Sequence, residues 1–296
     1  MRVGILGNDG SWYVQQLCTA AAARGHQAFP LQFPRMRAEL RTGGVALLID
    51  ELNLATLDVL IVRTMPPGSL EQVVARMDLL GGLADLGVRI VNSPKALECA
   101  VDKYLTSQKL AMAGIPVPDT VVCEDSETAL EAFHRLGGDV VVKPLFGAEG
   151  RGILRVSHPE LALRTFRTLE RLNASIYLQR FITGNSEDIR ILLLGDHPVA
   201  SMKRQAAPGD FRANAAQNGT ARPWLPTDQE LDLAVRAARV TGCEFAGVDL
   251  MFDADGQASV IEVNAVPGWR ALQKTCAVNV PERLCQWLEE GRLTRD

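Results

Sequence analysis

Phe245-Ala-Gly-Val-Asp-Leu-Met-Phe-Asp-Ala-Asp-Gly-Gln-Ala-Ser-Val-Ile-Glu-Val-Asn264 reads as two strands joined at Asp255-Gly256, a dipeptide that favours a two-residue hairpin turn. With those two residues as the loop, Ala254 faces Gln257, Asp249 faces Glu262 and Gly247 faces Asn264. The same register gathers Val248, Leu250, Phe252, Ile261 and Val263 on the opposite face as an apolar surface for a core, because strand side chains alternate between faces. Two carboxylates directly across a strand pair repel, so Asp249 against Glu262 calls for a cation or a shared proton. Oxygen ligands, with Asn264 beside them, suit a hard ion such as Mg²⁺ or Mn²⁺, with water and phosphate oxygens filling the remaining positions. A solvated acidic face is the competing reading of these residues alone, and a three-residue loop with a bulge would change the register.

Upstream, Val140-Val-Val-Lys-Pro-Leu-Phe-Gly-Ala-Glu-Gly-Arg-Gly152 runs from a β-branched strand into a loop with Gly147, Gly150 and Gly152. Glycines let backbone N–H groups converge on phosphate oxygens without a Cβ in the way, and Lys143 stands where its ammonium reaches the same anion. The Walker A pattern is missing, and a glycine loop between strands also serves as a plain hairpin. Taken singly, Lys103 on a helix after Pro94 reads as a surface residue. Arg204, ahead of a polar loop with Arg212 and Asn214, is equally unremarkable alone.

Around these passages the first ninety residues alternate strands (Arg2–Leu6, Asp58–Val62, Val88–Val91) with helices (Trp12–Ala23, Leu70–Leu86), a βαβ rhythm that implies a parallel sheet. Gly4, Gly7 and Gly10 lack the dinucleotide spacing and read as a turn that lets the strand enter the helix. Lys95 to Met112 reads as one helix ended by Gly114, and Ile115-Pro-Val-Pro118 as a stiff boundary. Beyond it the pattern gives a strand at Thr120–Cys123, a helix capped by Ser126, strands at Val140–Lys143 and Ile153–Val156, a helix at Pro159–Leu172 and a strand at Ile176–Ile182. Strands at Ile189–Leu194 and Val199–Arg204 follow. Thr227 and Glu230 then have capping-box spacing for a helix from Asp228 to about Thr241.

The 296 residues, 47% hydrophobic and 22% charged, suit a globular chain of two or three domains. A net charge of −4 without long runs of one sign gives no footprint for nucleic acid, so an anionic ligand must be held by local groups. Nothing resembles a signal peptide, and no stretch approaches the roughly 18–20 apolar residues of a membrane span. Six scattered cysteines without a CxxC pair read as reduced thiols, and together these features suggest a cytoplasmic protein.

The ordered set Ala113-Gly-Ile-Pro-Val-Pro-Asp-Thr120, Val142-Lys-Pro-Leu-Phe-Gly147 with Gly150-Arg-Gly152, Asp188-Ile-Arg190, Arg204 with Asp210-Phe-Arg-Ala-Asn214, Ala246-Gly-Val-Asp-Leu250, and Glu262-Val-Asn264 with Pro267-Gly268 resembles the ATP-grasp superfamily. Within it the chain looks most like the RimK-type α-L-glutamate ligases, from about Ser93 to Asn279. The resemblance implies an ATP-grasp fold of α/β and α+β parts. A Rossmann-like pre-ATP-grasp domain would occupy residues 1–93, a central α+β subdomain with a glycine-rich lid 94–180, and a C-terminal subdomain carrying the metal site 181–296. It further implies that Lys103 and Lys143 contact ATP phosphates and that the loop of Gly147, Gly150 and Gly152 closes over them. Gln179, Arg180, Phe181 and Ile182 would line the adenine pocket, and Asp188 would hold the ribose. Arg204 would neutralise the transferred phosphoryl group, making it and Lys143 the catalytic pair. Asp249, Glu262 and Asn264 would bind two Mg²⁺ or Mn²⁺, and Arg190, Arg212 and Asn214 acceptor carboxylates or phosphate oxygens. One departure is Arg180, where many relatives have Glu after the Gln; it puts a carboxylate contact in doubt, and Glu187 is placed to share the role of Asp188.

The implied reaction joins an amino acid, glutamate in this group, to an unidentified acceptor through an acylphosphate, with no nucleic acid or membrane partner; the sequence leaves a homo-oligomer open. A dipeptide or amino-group-carrier ligase and a non-catalytic nucleotide-binding module are the alternatives.

Overall fold

The computed structural model describes residues 1–147, 151–183, 187–207, 210–211 and 219–293. The chain opens with β1 (Arg2–Leu6), α1 (Trp12–Ala23), β2 (Gln27–Leu31), β3 (Met36–Arg41), β4 (Gly44–Ile49), β5 (Leu52–Asn53), β6 (Val59–Val62), α2 (Leu70–Asp85) and β7 (Arg89–Val91). A parallel sheet of order β2-β1-β6-β7 results, with β3, β4 and β5 forming a separate antiparallel sheet. Gly7 ends β1 because α1 packs close behind it: a Cβ there would lie 2.3 Å from Val14 Cγ2. The sequence reading lacked β2 to β5. Pro30 demotes β2 to an edge strand, and β3, Met-Arg-Ala-Glu-Leu-Arg, buries no residue and so shows no apolar alternation.

Next come α3 (Pro94–Val101), α4 (Lys103–Met112), β8 (Thr120–Cys123), α5 (Ser126–Arg135), β9 (Val140–Lys143), β10 (Leu154–Val156), α6 (Pro159–Arg171) and β11 (Ile176–Arg180). The single helix expected over Lys95–Met112 is two. Asp102 leaves the helical region (φ −92°, ψ 107°), caps α4 by accepting the Leu105 N–H at 3.0 Å, and bridges to Phe146. The break swings Lys103 toward the loop after β9, where its backbone N–H donates to Leu145 O at 3.3 Å. In α5 the cap is Asp125, which accepts the Thr128 N–H at 2.8 Å. Ser126 is the first helical residue, with its hydroxyl donating to Glu170 at 2.8 Å. Strands β10-β9-β11-β8 form an antiparallel sheet, covered by α5 and α6 through Phe133 and Phe166.

The remainder holds β12 (Glu187–Leu194), β13 (His197–Gln205), β14 (Thr220–Pro223), α7 (Asp228–Thr241), β15 (Phe245–Phe252), β16 (Ala258–Asn264), α8 (Arg270–Cys276) and α9 (Val280–Leu293). These strands form an antiparallel sheet of order β14-β13-β12-β15-β16. The Thr227/Glu230 capping box forms in full, and Gly242 closes α7 in the left-handed region at φ 77°.

The β15–β16 hairpin corrects the expected loop and keeps the expected pairing. Asp253 N–H donates to Gln257 O at 3.1 Å, so the loop has three residues, Ala254 to Gly256, with Gly256 at φ 76°. Leu250 pairs with Val260, and a bulge next to Asp249 absorbs Ile261, after which Asp249 faces Glu262 and Gly247 faces Asn264. Val260, 2% exposed, therefore takes the core position expected for Ile261.

The parallel sheet and the five-stranded sheet share two apolar cores: Leu6, Leu60 and Val62 with Val248, Leu250 and Val263, and Ile5 and Ile61 with Leu192, Phe245 and Trp269. Asn92, 1% exposed, locks this junction. Its Nδ2 donates to Phe245 O and Ala265 O at 2.7 and 2.6 Å, while its Oδ1 accepts the N–H groups of Glu244 and Phe245 at 2.8 and 2.9 Å. The six cysteines are unpaired, and among the described residues no helix is long and apolar enough to cross a membrane.

Candidate active site

β9 ends at Lys143, directly opposite Tyr177 on β11. The ammonium donates to Gln179 Oε1 at 2.6 Å. Gln179, two residues past Tyr177 and so on the same face, donates in turn to Thr120 Oγ1 at 2.9 Å and to Tyr177 OH at 3.2 Å. Ser107 Oγ completes the chain, 3.0 Å from Tyr177 OH. Lys103, at the start of α4, donates to Gly147 O at 2.7 Å, which brings the linker helix onto the glycine loop. Burial pulls both lysines below their ordinary range, and nearby Glu262 partly offsets it. Lys143 is pushed down to about 8, the charge of Lys103 adding to the effect of burial. Gly147 and Gly152 sit at φ 149° and 75°, where other residues are strained.

A second cluster lies on the five-stranded sheet, where strand register dictates the partners. Asp188 faces Arg204 across β12–β13, and Arg190 faces Asp249 across β12–β15. Arg204 binds Asp188 with both prongs at 2.5 and 2.6 Å, Arg190 binds Asp249 the same way at 2.7 and 2.6 Å, and Arg204 Nη2 reaches Asp249 Oδ2 at 3.1 Å. Asp249 is 1% exposed and Asp188 4%. Burial pushes Asp188 up to about 6, the charge of Asp249 adding to it and Arg204 opposing it. For Asp249 burial works in the same direction, but Arg190 and Arg204 outweigh it and hold the carboxyl below its ordinary value. Arg204 is kept charged by the same two carboxylates, against its burial.

Glu262, across the strand pair from Asp249, joins the two clusters, since its charge also acts on Lys103 and Lys143. Asn264 Nδ2 donates to Gly247 O at 3.4 Å. Of the other residues singled out in the sequence, Arg180 pairs with Asp119 at 2.8 Å on the surface and Glu187 with Lys203 at 2.5 Å. Phe181 meets the ring of Phe211 edge-on and carries the guanidinium of Arg155 against its own ring, and Ile182 is half-buried just past β11. Gly150, Arg212 and Asn214 lie outside the described residues. Sequence reasoning missed Thr120, Tyr177 and Ser107; the only cue was the period-two spacing of Tyr177 from Gln179.

Among the described residues no group of three His, Cys, Asp or Glu side chains forms a ready metal cage. The donors nevertheless fit a hard cation: Asp249, Glu262 and the Asn264 amide present oxygen only, from paired strands, and too few ligands to dispense with phosphate oxygens. Both Asp249 oxygens accept from guanidinium groups, Oδ1 from Arg190 and Oδ2 from Arg190 and Arg204, so Oδ1 keeps a lone pair with which a cation could share the carboxylate.

Residues 100–288 match the model of the RimK-like ATP-grasp domain. The chain belongs to this family. It is 31% identical over 320 residues to a tetrahydromethanopterin:α-L-glutamate ligase of Methanosarcina acetivorans, covering 97% of this chain and 98% of that protein. It is also 31% identical over 294 residues to a ribosomal protein bS6–L-glutamate ligase of Salmonella paratyphi B, covering 98% and 96%. The solved structure of the ATP-grasp ligase PsnB with a minimal precursor, Mg and ADP superposes with a TM-score of 0.78 at 22% identity, covering 97% of this chain and 96% of that one. This RimK-like chain is therefore an ATP-grasp ligase, of a family that uses ATP with Mg²⁺ to form amide bonds between a carboxylate and an amine.

Proposed function

We propose that the chain adds L-glutamate to a carboxylate-bearing acceptor through an acylphosphate. The observation that carries this is the convergence of Lys103 and Lys143 with Glu262, and of Glu262 with the Asp249–Arg190–Arg204–Asp188 network. Two cations for a polyphosphate stand beside an oxygen site for its counter-ion and an arginine for the transferred group. The glutamate ligases at 31% identity over nearly the whole chain support the choice of amino acid.

In this reading residues 1–93 form the first domain, while 94–180 and 181–296 hold the nucleotide between them. Lys103 and Lys143 grip its phosphates under the Gly147–Gly152 loop. Gln179 to Ile182 flank the adenine, Asp188 holds the ribose without Glu187, which faces the other side of β12 with Lys203, and Arg190 takes an acceptor carboxylate or a phosphate oxygen. Asp249, Glu262 and Asn264 hold two Mg²⁺, which when bound neutralise phosphate charge and polarise the γ-phosphorus. An acceptor carboxylate oxygen attacks that phosphorus and ADP leaves. The glutamate amine then attacks the acyl carbon, loses a proton, and expels phosphate. Phosphoryl transfer of this kind needs positioning and charge neutralisation, which Lys143 and Arg204 supply, and no protein nucleophile. Phosphate release measured with ATP, Mg²⁺, L-glutamate and a panel of carboxylate acceptors should rise with a matching acceptor. A rate indifferent to every amino acid and acceptor would overturn the assignment.

Lys143 gives a pH test. Its pKa of about 8 in the free protein, against an ordinary 10.5, means that the ammonium needed by a phosphate is lost as pH climbs through 8. Affinity for ADP should therefore fall above pH 8 in the wild type. In Lys143→Met it should be weak and flat over the same range, as read by calorimetry between pH 7 and 9.5.

A further inference from the structure

Arg63 directly follows β6, and its N–H donates to Leu6 O at 2.7 Å, so the carboxyl ends of β1 and β6 are neighbours. From β1 the chain goes to β2 on one side and later to β6 on the other. The crevice beyond these two strand ends is thus the switch point of the sheet, where open parallel sheets take ligands. There the Arg63 guanidinium lies 4.3 Å from the ring centre of Trp269 and 5.2 Å from that of Tyr13.

Arg63 is 7% exposed and Trp269 fully buried. Nη2 of Arg63 donates to Pro267 O at 2.8 Å, but its Nε and Nη1 have no acceptor, and neither has Nε1 of Trp269. Buried donors are normally satisfied, and a charged one without an anion is the costliest kind to leave open. Burial pushes Arg63 down to about 9. Two touching residues thus present three orphaned donor atoms and no surplus acceptor. The crevice also adjoins the proposed metal strands: Pro267 lies three residues past Asn264, and a Cβ on Gly247 would stand 3.0 Å from Pro267 Cβ and 3.9 Å from Arg190 Nε.

We propose that Arg63 and Trp269 Nε1 anchor a non-reacting carboxylate of a substrate in this crevice. The proposal rests on the ligase reading, in which both the amino acid and a glutamate-ended acceptor carry such a group. A carboxylate is what the donors lack, since it only accepts, is anionic, and matches the guanidinium fork in a site whose aromatic walls keep water out.

The test is calorimetry on the full chain with ADP and Mg²⁺ bound, using L-glutamate and α-glutamyl-glutamate as probes. Arg63→Met should weaken one of them by about tenfold or more, the size expected for losing a charge-assisted hydrogen bond, while the affinity for ADP stays put. Loss confined to L-glutamate assigns the site to the amino acid; loss confined to the dipeptide assigns it to the acceptor. Trp269→Phe, which keeps a ring and removes the N–H, should weaken the same probe. Wild-type affinities for both probes in Arg63→Met, or no uptake of either by the wild type, would overturn the proposal. Should Arg63→Met fail to fold, unchanged affinities in both Arg63→Lys and Trp269→Phe would overturn it equally. Failure to bind ADP with probe binding intact would count against the ligase reading and not against the carboxylate site.

Discussion

Replacing Arg204 by methionine should slow ATP-dependent amide formation by about 10³-fold or more, the range for removing an arginine that neutralises a transferred phosphoryl group. The same change should alter stability in a pH-dependent way. Arg204 is the two-pronged partner of Asp188, and truncating one member of a buried pair costs about 3–5 kcal/mol when the other stays charged. Asp188 has a way out, because its pKa already stands at about 6 in the folded protein against an ordinary 3.8. A carboxyl whose folded pKa is raised loses stability as pH climbs from its unfolded to its folded value. In the wild type that window runs from about 4 to 6. Without Arg204 the window extends upward, so the urea midpoint of Arg204→Met should match the wild type more closely at pH 5 than at pH 8. Adding Asp188→Asn should restore the midpoint at pH 8 and leave the rate low. Turnover within tenfold of the wild type in Arg204→Met would remove Arg204 from the chemistry.

What could be read ahead of the structure divides by range. The Thr227/Glu230 box is a contact of three residues, and it formed as spaced. Asp249 meets Glu262 because burying Val248, Leu250 and Val263 on one face dictates the register there. The loop length did not have to be right, since a bulge at Ile261 corrected it. Partners set by register between distant strands were not legible. Nothing near Arg190 in sequence announces that Asp249 lies opposite it, or near Arg204 that it bridges Asp188 and Asp249. Arg63 was missed for the same reason: its significance comes from Trp269 and Pro267, some two hundred residues away. Likewise the break at Asp102 depends on Phe146, which no helical periodicity reports.

Glu262→Gln and Asp249→Asn should both abolish Mg²⁺-dependent ATP turnover, yet only the first isolates the proposed metal site. Asp249 is buried and holds two guanidinium groups, so losing its charge strands Arg190 and weakens Arg204, a change worth about 3–5 kcal/mol against the fold. Its inactivity would therefore be confounded by instability. Glu262 is half-buried at the junction of the clusters, and its charge acts on Lys103 and Lys143 without fixing either in place. The isosteric glutamine should leave the urea midpoint within about 0.5 kcal/mol of the wild type, as for a change away from packed or paired groups. Removing this carboxylate also takes a like charge away from an incoming phosphate. ADP without metal should consequently bind Glu262→Gln at least as well as the wild type, while the gain in affinity that Mg²⁺ brings to the wild type disappears. An undiminished gain with Mg²⁺ would take Glu262 out of the metal site. Asp249 Oδ1 accepts only from Arg190 Nε, so a cation can share this carboxylate while Arg204 stays 3.1 Å from Oδ2, beside the phosphoryl group it is proposed to neutralise.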